Sequence, residues 1–207
     1  MTERGLVRRA TPLLLGALSF CPERCRVTHE LPIGHSIADV VILRTLRGHD
    51  GPEAPLTVAE SVILSTLRRL GASRPETIGR HVSMPADDVR ELLEGRLASW
   101  RLVRSRTRGL IEARAAWVQA AEVIAIEAKL TRWRDALEQA TQYRRYADRA
   151  FVLLPEASAG IAARDARAFR AAGVGLLSYD ARAVSCLIPG AKSKVHSWHR
   201  EYALSRV

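Results

Sequence analysis

A chain of 207 residues with 47% apolar composition can bury the core of one large domain or two small ones, and no apolar run approaches the roughly 20 residues that span a bilayer, which speaks against a membrane protein. A net charge of +10 and a pI near 10.5 point to a polyanionic partner, nucleic acid first, although arginines on solvated helix faces in a GC-rich coding background fit the same count. Cys21, Cys25 and Cys186 are too few for a disulfide framework, so reduced thiols in a cytoplasmic protein are expected.

In chain order, residues 4 to 20 read as a buried helix, and "RVTHELPIGHSIADVVIL" reads as two strands around a turn at Pro32 to Gly34. The Gly- and Pro-rich "RGHDGPEAP" marks a junction. Beyond it, "TVAESVILSTLRRLG" predicts a helix stopped by Gly71, "RPETIGRHVS" a short helix and "PADDVRELLEGRLASWRLV" a longer one, with Ser83 as its expected N-cap. "LVRSRTRGLIEA" follows as two short strands around a basic tip. The strand 122 to 130 leads into a helix whose Trp133, Leu137 and Ala140 recur at helical spacing, and "RAFVLLP", "GIAARDARAFRAAG", "VGLLSYD" and "AVSCLIP" continue as strand, helix, strand, strand. Strands alternating with helices imply an α/β sheet covered by helices. The basic tail "GAKSKVHSWHREYALSRV" is expected to be peripheral, and His196 with His199 lacks the further ligands of a metal site.

Within the apolar strand "EVIAIEAKL" stand a glutamate and a lysine, in a chain with 29 arginines and only three lysines. Alternation puts Val123, Ala125, Glu127 and Lys129 on one face and Ile124, Ile126, Ala128 and Leu130 on the other. A lone Glu-x-Lys pair also fits a partly exposed salt bridge at a strand end. Asp39, flanked by apolar residues in "IADVVI", adds a second carboxylate that burial would make costly unless it is paired or meets a cation. A hard divalent cation takes oxygen from one or two carboxylates and completes its shell with water and phosphate.

On "IADVVI", "EAK" and the helix, strand, strand, helix order around them, the chain resembles the PD-(D/E)xK (restriction-endonuclease-like) nuclease superfamily. The resemblance implies that Asp39 and Glu127 hold Mg²⁺, with Mn²⁺ able to substitute, that the Ala128 carbonyl contributes, and that Lys129 orients or helps deprotonate the attacking water. It also implies a Gln-x-x-x-Tyr pair on the next helix. Gln139 with Tyr143 is preferred, as one turn nearer the strand, and Gln142 with Tyr146 fits the spacing equally. Glu30 is a further candidate acid, with a solvated strand residue as its alternative, and His35 lies close enough to Asp39 to touch substrate, with a merely exposed turn histidine as its commoner alternative. No proline precedes Asp39, a departure from the pattern that names the superfamily.

The segment between the two acids resembles a winged helix-turn-helix inserted into the core. The expected organisation is therefore a first part of the nuclease core at 1–55, the inserted domain at 56–118 and the second part of the core at 119–207. From Gly95 to Ile111 the segment carries Arg96, Arg101, Arg104, Arg106 and Arg108 and no acid, which suits contacts to DNA phosphates. Asp87 and Asp88, where a recognition helix begins, would repel phosphates and fit a protein-docking or merely structural winged helix better. The functional expectation is a Mg²⁺-dependent DNA endonuclease in defence, mobile-element or repair biology, acting as a homodimer or with a partner protein. The alternative is a non-catalytic DNA-binding regulator or adaptor that retains the fold.

Overall fold

The computed structural model describes residues 1–33, 36–45, 54–114, 121–193, 195 and 197–206. In chain order the elements are α1 (Glu3–Ala17), β1 (Cys25–Ile33), β2 (Ser36–Thr45), α2 (Val58–Leu70), α3 (Pro75–Val82), α4 (Ala86–Leu92), β3 (Val103–Ser105), β4 (Ile111–Ala113), β5 (Ala121–Ala128), α5 (Trp133–Tyr143), β6 (Arg149–Pro155), α6 (Glu156–Ala163), α7 (Ala166–Ala172), β7 (Val174–Tyr179), β8 (Val184–Ile188) and α8 (Trp198–Leu204). They form two compact units, Met1–Leu46 with Glu122–Val195, and Arg47–Ala121 with His196–Arg206. The expected boundaries at 55/56 and 118/119 fall in or beside the segments 46–53 and 115–120, which lie outside the described residues, as do His35 and His196.

The first unit is α/β. Its mixed six-stranded sheet runs β1-β2-β5-β6-β7-β8, with β1/β2 and β7/β8 antiparallel and β5/β6/β7 parallel. α1 starts at a Thr2 cap, whose hydroxyl accepts the Gly5 N–H at 3.0 Å, and presents Leu6, Ala10 and Leu14 at four-residue intervals. That stripe covers one face of the sheet, against Val40, Ile42, Ile124, Ile126, Ala128, Phe151, Leu153 and Leu177. α5 packs on β2 and β6, with Ala136, Ala140 and Tyr143 buried, and Trp133 at its start stacks on Phe169 of α7. The strand expected over residues 122 to 130 ends at Ala128, and within it the alternation holds: Ile124, Ile126 and Ala128 face α1, so Glu127 faces the other way.

The second unit has α2, α3 and α4 followed by the antiparallel β3/β4 hairpin. Thr57 and Glu60 close a capping box at the start of α2, and Gly71, at φ +76°, ends it. Ser83 does not cap α4 as expected. It closes α3 in a left-handed conformation, φ +56°, while the Met84 N–H bonds the Gly79 carbonyl at 3.0 Å. This tight reversal depends on Gly79, where a Cβ would stand 2.6 Å from the Met84 carbonyl oxygen. The helix expected over residues 85 to 103 is interrupted by a wide turn at Leu93–Leu97, with non-helical dihedrals at Gly95.

The tail is not peripheral. α8 packs on α2, with Arg68 Nε 2.5 Å from Glu201 Oε1 and side chains only 11% and 3% exposed. Burial drives the Glu201 carboxyl above its ordinary value, against the pull of the Arg68 charge. Deleting one partner strands a buried charge, so Glu201→Ala should cost about 3–5 kcal/mol, whereas the paired change Arg68→Met with Glu201→Leu should be much milder. Urea denaturation followed by tryptophan fluorescence measures both. Equal losses in the two variants would show that the ion pair itself carries the contact.

Candidate active site

The site lies in the first unit, where β2 and β5 run side by side. The Ala128 N–H donates to Asp39 Oδ2 at 2.7 Å, so the Asp39 carboxylate is fixed against the residue that follows Glu127. Glu127 is 3% exposed and Asp39 half-buried. Both point away from α1, toward α5. Glu127 stands near the carboxyl end of a parallel strand, the end at which open α/β sheets usually bind ligands. Directly after β5 the chain turns out of the sheet, and Lys129 Nζ reaches back to Glu127 Oε1 at 2.7 Å. Glu3, in the first turn of α1, is 3.7 Å from the same ammonium.

The Tyr143 hydroxyl lies between the Ile37 carbonyl, at 2.8 Å, and Glu127 Oε2. A phenol carries one proton. When that proton goes to Ile37, the contact with Glu127 is satisfied only by a protonated carboxyl; when it goes to Glu127, the Ile37 carbonyl is left as a competing acceptor. The hydroxyl thus ties the ionisation of Glu127 to the backbone of β2.

Burial is the main influence on each carboxyl. It raises Asp39 above its ordinary value, against the Ala128 N–H and the Lys129 charge, and Glu3 and Glu30 add to the rise. It also raises Glu127, outweighing the bonds from Lys129 and Tyr143, with the Asp39 charge adding to the effect. For Lys129 burial is again the largest single influence and pulls downward, but the bond to Glu127 and the charges of Glu127, Glu3 and Asp39 together leave the ammonium above its ordinary value. The lowering toward neutrality that burial alone would give is therefore reversed. Burial and the Glu127 charge likewise hold Tyr143 as a neutral phenol.

Of the remaining residues singled out from sequence, Tyr143 belongs to the cluster, whereas Gln139 is exposed on α5 and makes none of the described hydrogen bonds. The Gln142/Tyr146 alternative places Gln142 on the surface and buries Tyr146, whose hydroxyl is raised first by burial and then by the Glu127 charge. Glu30 lies between the register pairs His29↔Val40 and Leu31↔Ala38, which sets it opposite Asp39. Its backbone is left-handed, φ +50°, and its exposed side chain pairs with Arg4 at 3.2 Å. Glu3 was missed by sequence reading. Its only local signal was a carboxylate in the first turn of a capped helix, which the helix dipole explains without any site.

In the second unit the arginines divide. Arg96 is committed to the Pro55 carbonyl at 3.1 Å, to Glu60 at 3.4 Å and to the face of Trp100. Arg104 and Arg106 both pair with Glu112, whose carboxyl is held below its usual range by hydrogen bonds from Arg106 and then Arg104. Arg101 and Arg108 are exposed, each in a left-handed conformation. The acid-free stretch counted from Gly95 to Ile111 thus has its counter-charge one residue beyond its end.

Among the described residues there is no group of three or more His, Cys, Asp and Glu side chains that could enclose a metal. What the site offers is a pair of carboxylates whose charged forms are disfavoured by burial and, for Glu127, by the neighbouring Asp39. That donor set fits a hard cation that keeps most of its water, as Mg²⁺ does, and not a closed zinc site. No family model matches the chain, and no curated protein or solved structure matches it.

A raised carboxyl pKa in the folded state means that ionisation opposes folding. The stability that goes with the protonated form is complete below the unfolded value and is lost as pH rises through the folded one. Asn at position 39 still accepts the Ala128 N–H but carries no charge. In divalent-free buffer at pH 8, Asp39→Asn should therefore unfold at higher urea than wild type, and the advantage should shrink as pH falls toward the ordinary carboxylate range. A variant less stable at pH 8 would mark Asp39 as a structural carboxylate.

Proposed function

We propose that the chain is a Mg²⁺-dependent deoxyribonuclease, built on a restriction-endonuclease-like core with an inserted winged helix. The observation that carries the proposal is the convergence of Asp39, Glu127 and Lys129 from adjoining strands, with the Tyr143 hydroxyl on the glutamate. A second, half-buried carboxylate beside a Glu–Lys pair raises the cost of ionising the first. A cation held by Asp39 and Glu127 would relieve that cost.

When bound there, Mg²⁺ supplies positive charge to a scissile phosphate and acidifies water. Asp39 and Glu127 provide the oxygen ligands. In the hydrolysis a water oxygen bonds to phosphorus, one P–O ester bond breaks and the departing oxygen takes up a proton. Lys129, held as an ammonium, donates hydrogen bonds and so orients water or a phosphate oxygen; removing a proton from water is the role its raised pKa disfavours. Tyr143 keeps Glu127 in place and ties it to β2. Purified protein should nick plasmid DNA with Mg²⁺ or Mn²⁺ and stop in chelator. Asp39→Ala and Glu127→Ala should abolish cleavage, and Lys129→Arg should fold but lose roughly 10²-fold or more in single turnover, because a guanidinium is too broad for the place of an ammonium. Full activity in all three would overturn the assignment, and DNA retention without cutting in any metal would favour a binding protein that keeps the fold.

The inserted unit has a second reading, protein docking, favoured by the neutralisation of Arg104 and Arg106 by Glu112 and by exposed Asp87 and Asp88 at the start of α4. The two readings differ in salt dependence. If this unit binds DNA, replacing Arg101 and Arg108 by alanine should reduce the log-log salt slope of binding by about one unit each, and replacing the committed Arg96 should change stability more than slope. An unchanged slope in the Arg101 and Arg108 variants would leave protein docking.

A further inference from the structure

The β1–β2 hairpin carries an apolar pair that the fold does not use. In β2, Ala38, Val40, Val41, Ile42 and Leu43 are at most 6% exposed, whereas Ile37 is 59% exposed. Ile37 shares its face of the strand with Asp39, two residues and about 7 Å further along. Pro32, its partner in the β1–β2 register, is exposed as well.

This ridge is anchored. The Ile37 carbonyl accepts from Tyr143, the hydroxyl that also contacts Glu127, and Leu31 and Ile33 on either side of Pro32 are 5% and 2% exposed. A hydrocarbon held rigidly beside two carboxylates gains nothing from phosphate. It gains by covering a base or sugar, and any substrate whose phosphate reaches Asp39 and Glu127 brings its neighbouring nucleotides within that distance.

Resting on the nuclease reading above, we propose that Ile37, backed by Pro32, is a wedge that enters the base stack beside the scissile phosphate. Apolar side chains of this kind inserted between base steps partly unstack and kink duplex DNA. The wedge makes cleavage depend on how easily the local step opens, so flexible, mismatched or unpaired steps are the preferred substrates.

The test uses the full chain with Mg²⁺ in single turnover, on a paired duplex and on the same duplex with a small bubble at the mapped cut site. Ile37→Ser, an exposed position whose folding is checked by circular dichroism, should slow cleavage of the paired duplex roughly tenfold or more, the scale of losing one apolar contact in a transition state. It should leave the bubbled substrate nearly unaffected, and Ile37→Leu should retain both activities. Wild-type cleavage with a paired-to-bubble ratio that Ile37→Ser leaves unchanged would overturn the wedge alone. Failure of the wild-type protein to cut either substrate would overturn the nuclease reading and the wedge with it.

Discussion

Keeping the Glu127 carboxylate inside a sheet is the constraint around which the first unit is arranged. At 3% exposure it has almost no water, and an isolated charge in such a place would be prohibitively costly. Each compensating group comes from a different part of the chain. Lys129 comes from the exit of the same strand and Tyr143 from the end of α5, whereas Asp39, tied from β2 to the next residue's amide, adds a second negative charge. Glu3, from α1, holds the lysine from its outer side. The order helix, hairpin, strand, helix is what delivers these groups to one place, which connects the topology to the chemistry.

That arrangement was legible in the sequence where a local period encodes it. Alternation along "EVIAIEAKL" placed Glu127 and Lys129 on one face because a strand with an apolar partner on its other face has no freedom of register. Helix ends are encoded less sharply. Spacing alone left Tyr143 and Tyr146 equivalent, and the distinction came from α5 ending at Tyr143, with Tyr146 in the turn beyond it. Ser83 misled for a related reason: the same residue type ends one helix or begins the next, and the deciding contact, Gly79 against the Met84 carbonyl, is a tertiary one.

Charge pairing between elements was less legible. Glu112 closes on Arg104 and Arg106 across the expected hairpin, where the register sets it opposite Arg104, and Glu201 closes on Arg68 over a separation of 133 residues. The first pairing needs the strand register and the second the tertiary fold, and neither follows from composition. Counting arginines therefore overstated the charge that the hairpin leaves free, and the basic look of the tail concealed a helix that belongs to the second unit.

Within β5 itself, two buried glutamates sit in contrasting electrostatic settings. Glu122, at the start of the strand, is 2% exposed and meets Arg44 at 3.1 Å, Arg149 at 3.1 Å and Lys192 at 3.8 Å. Its negative charge is more than balanced by the three cations around it. Glu127, five residues on, meets one ammonium while Asp39 and Glu3 add negative charge around it. The same strand thus buries two glutamates in opposite electrostatic settings. Only the second gathers more acids than bases, the setting that the proposed divalent cation would relieve.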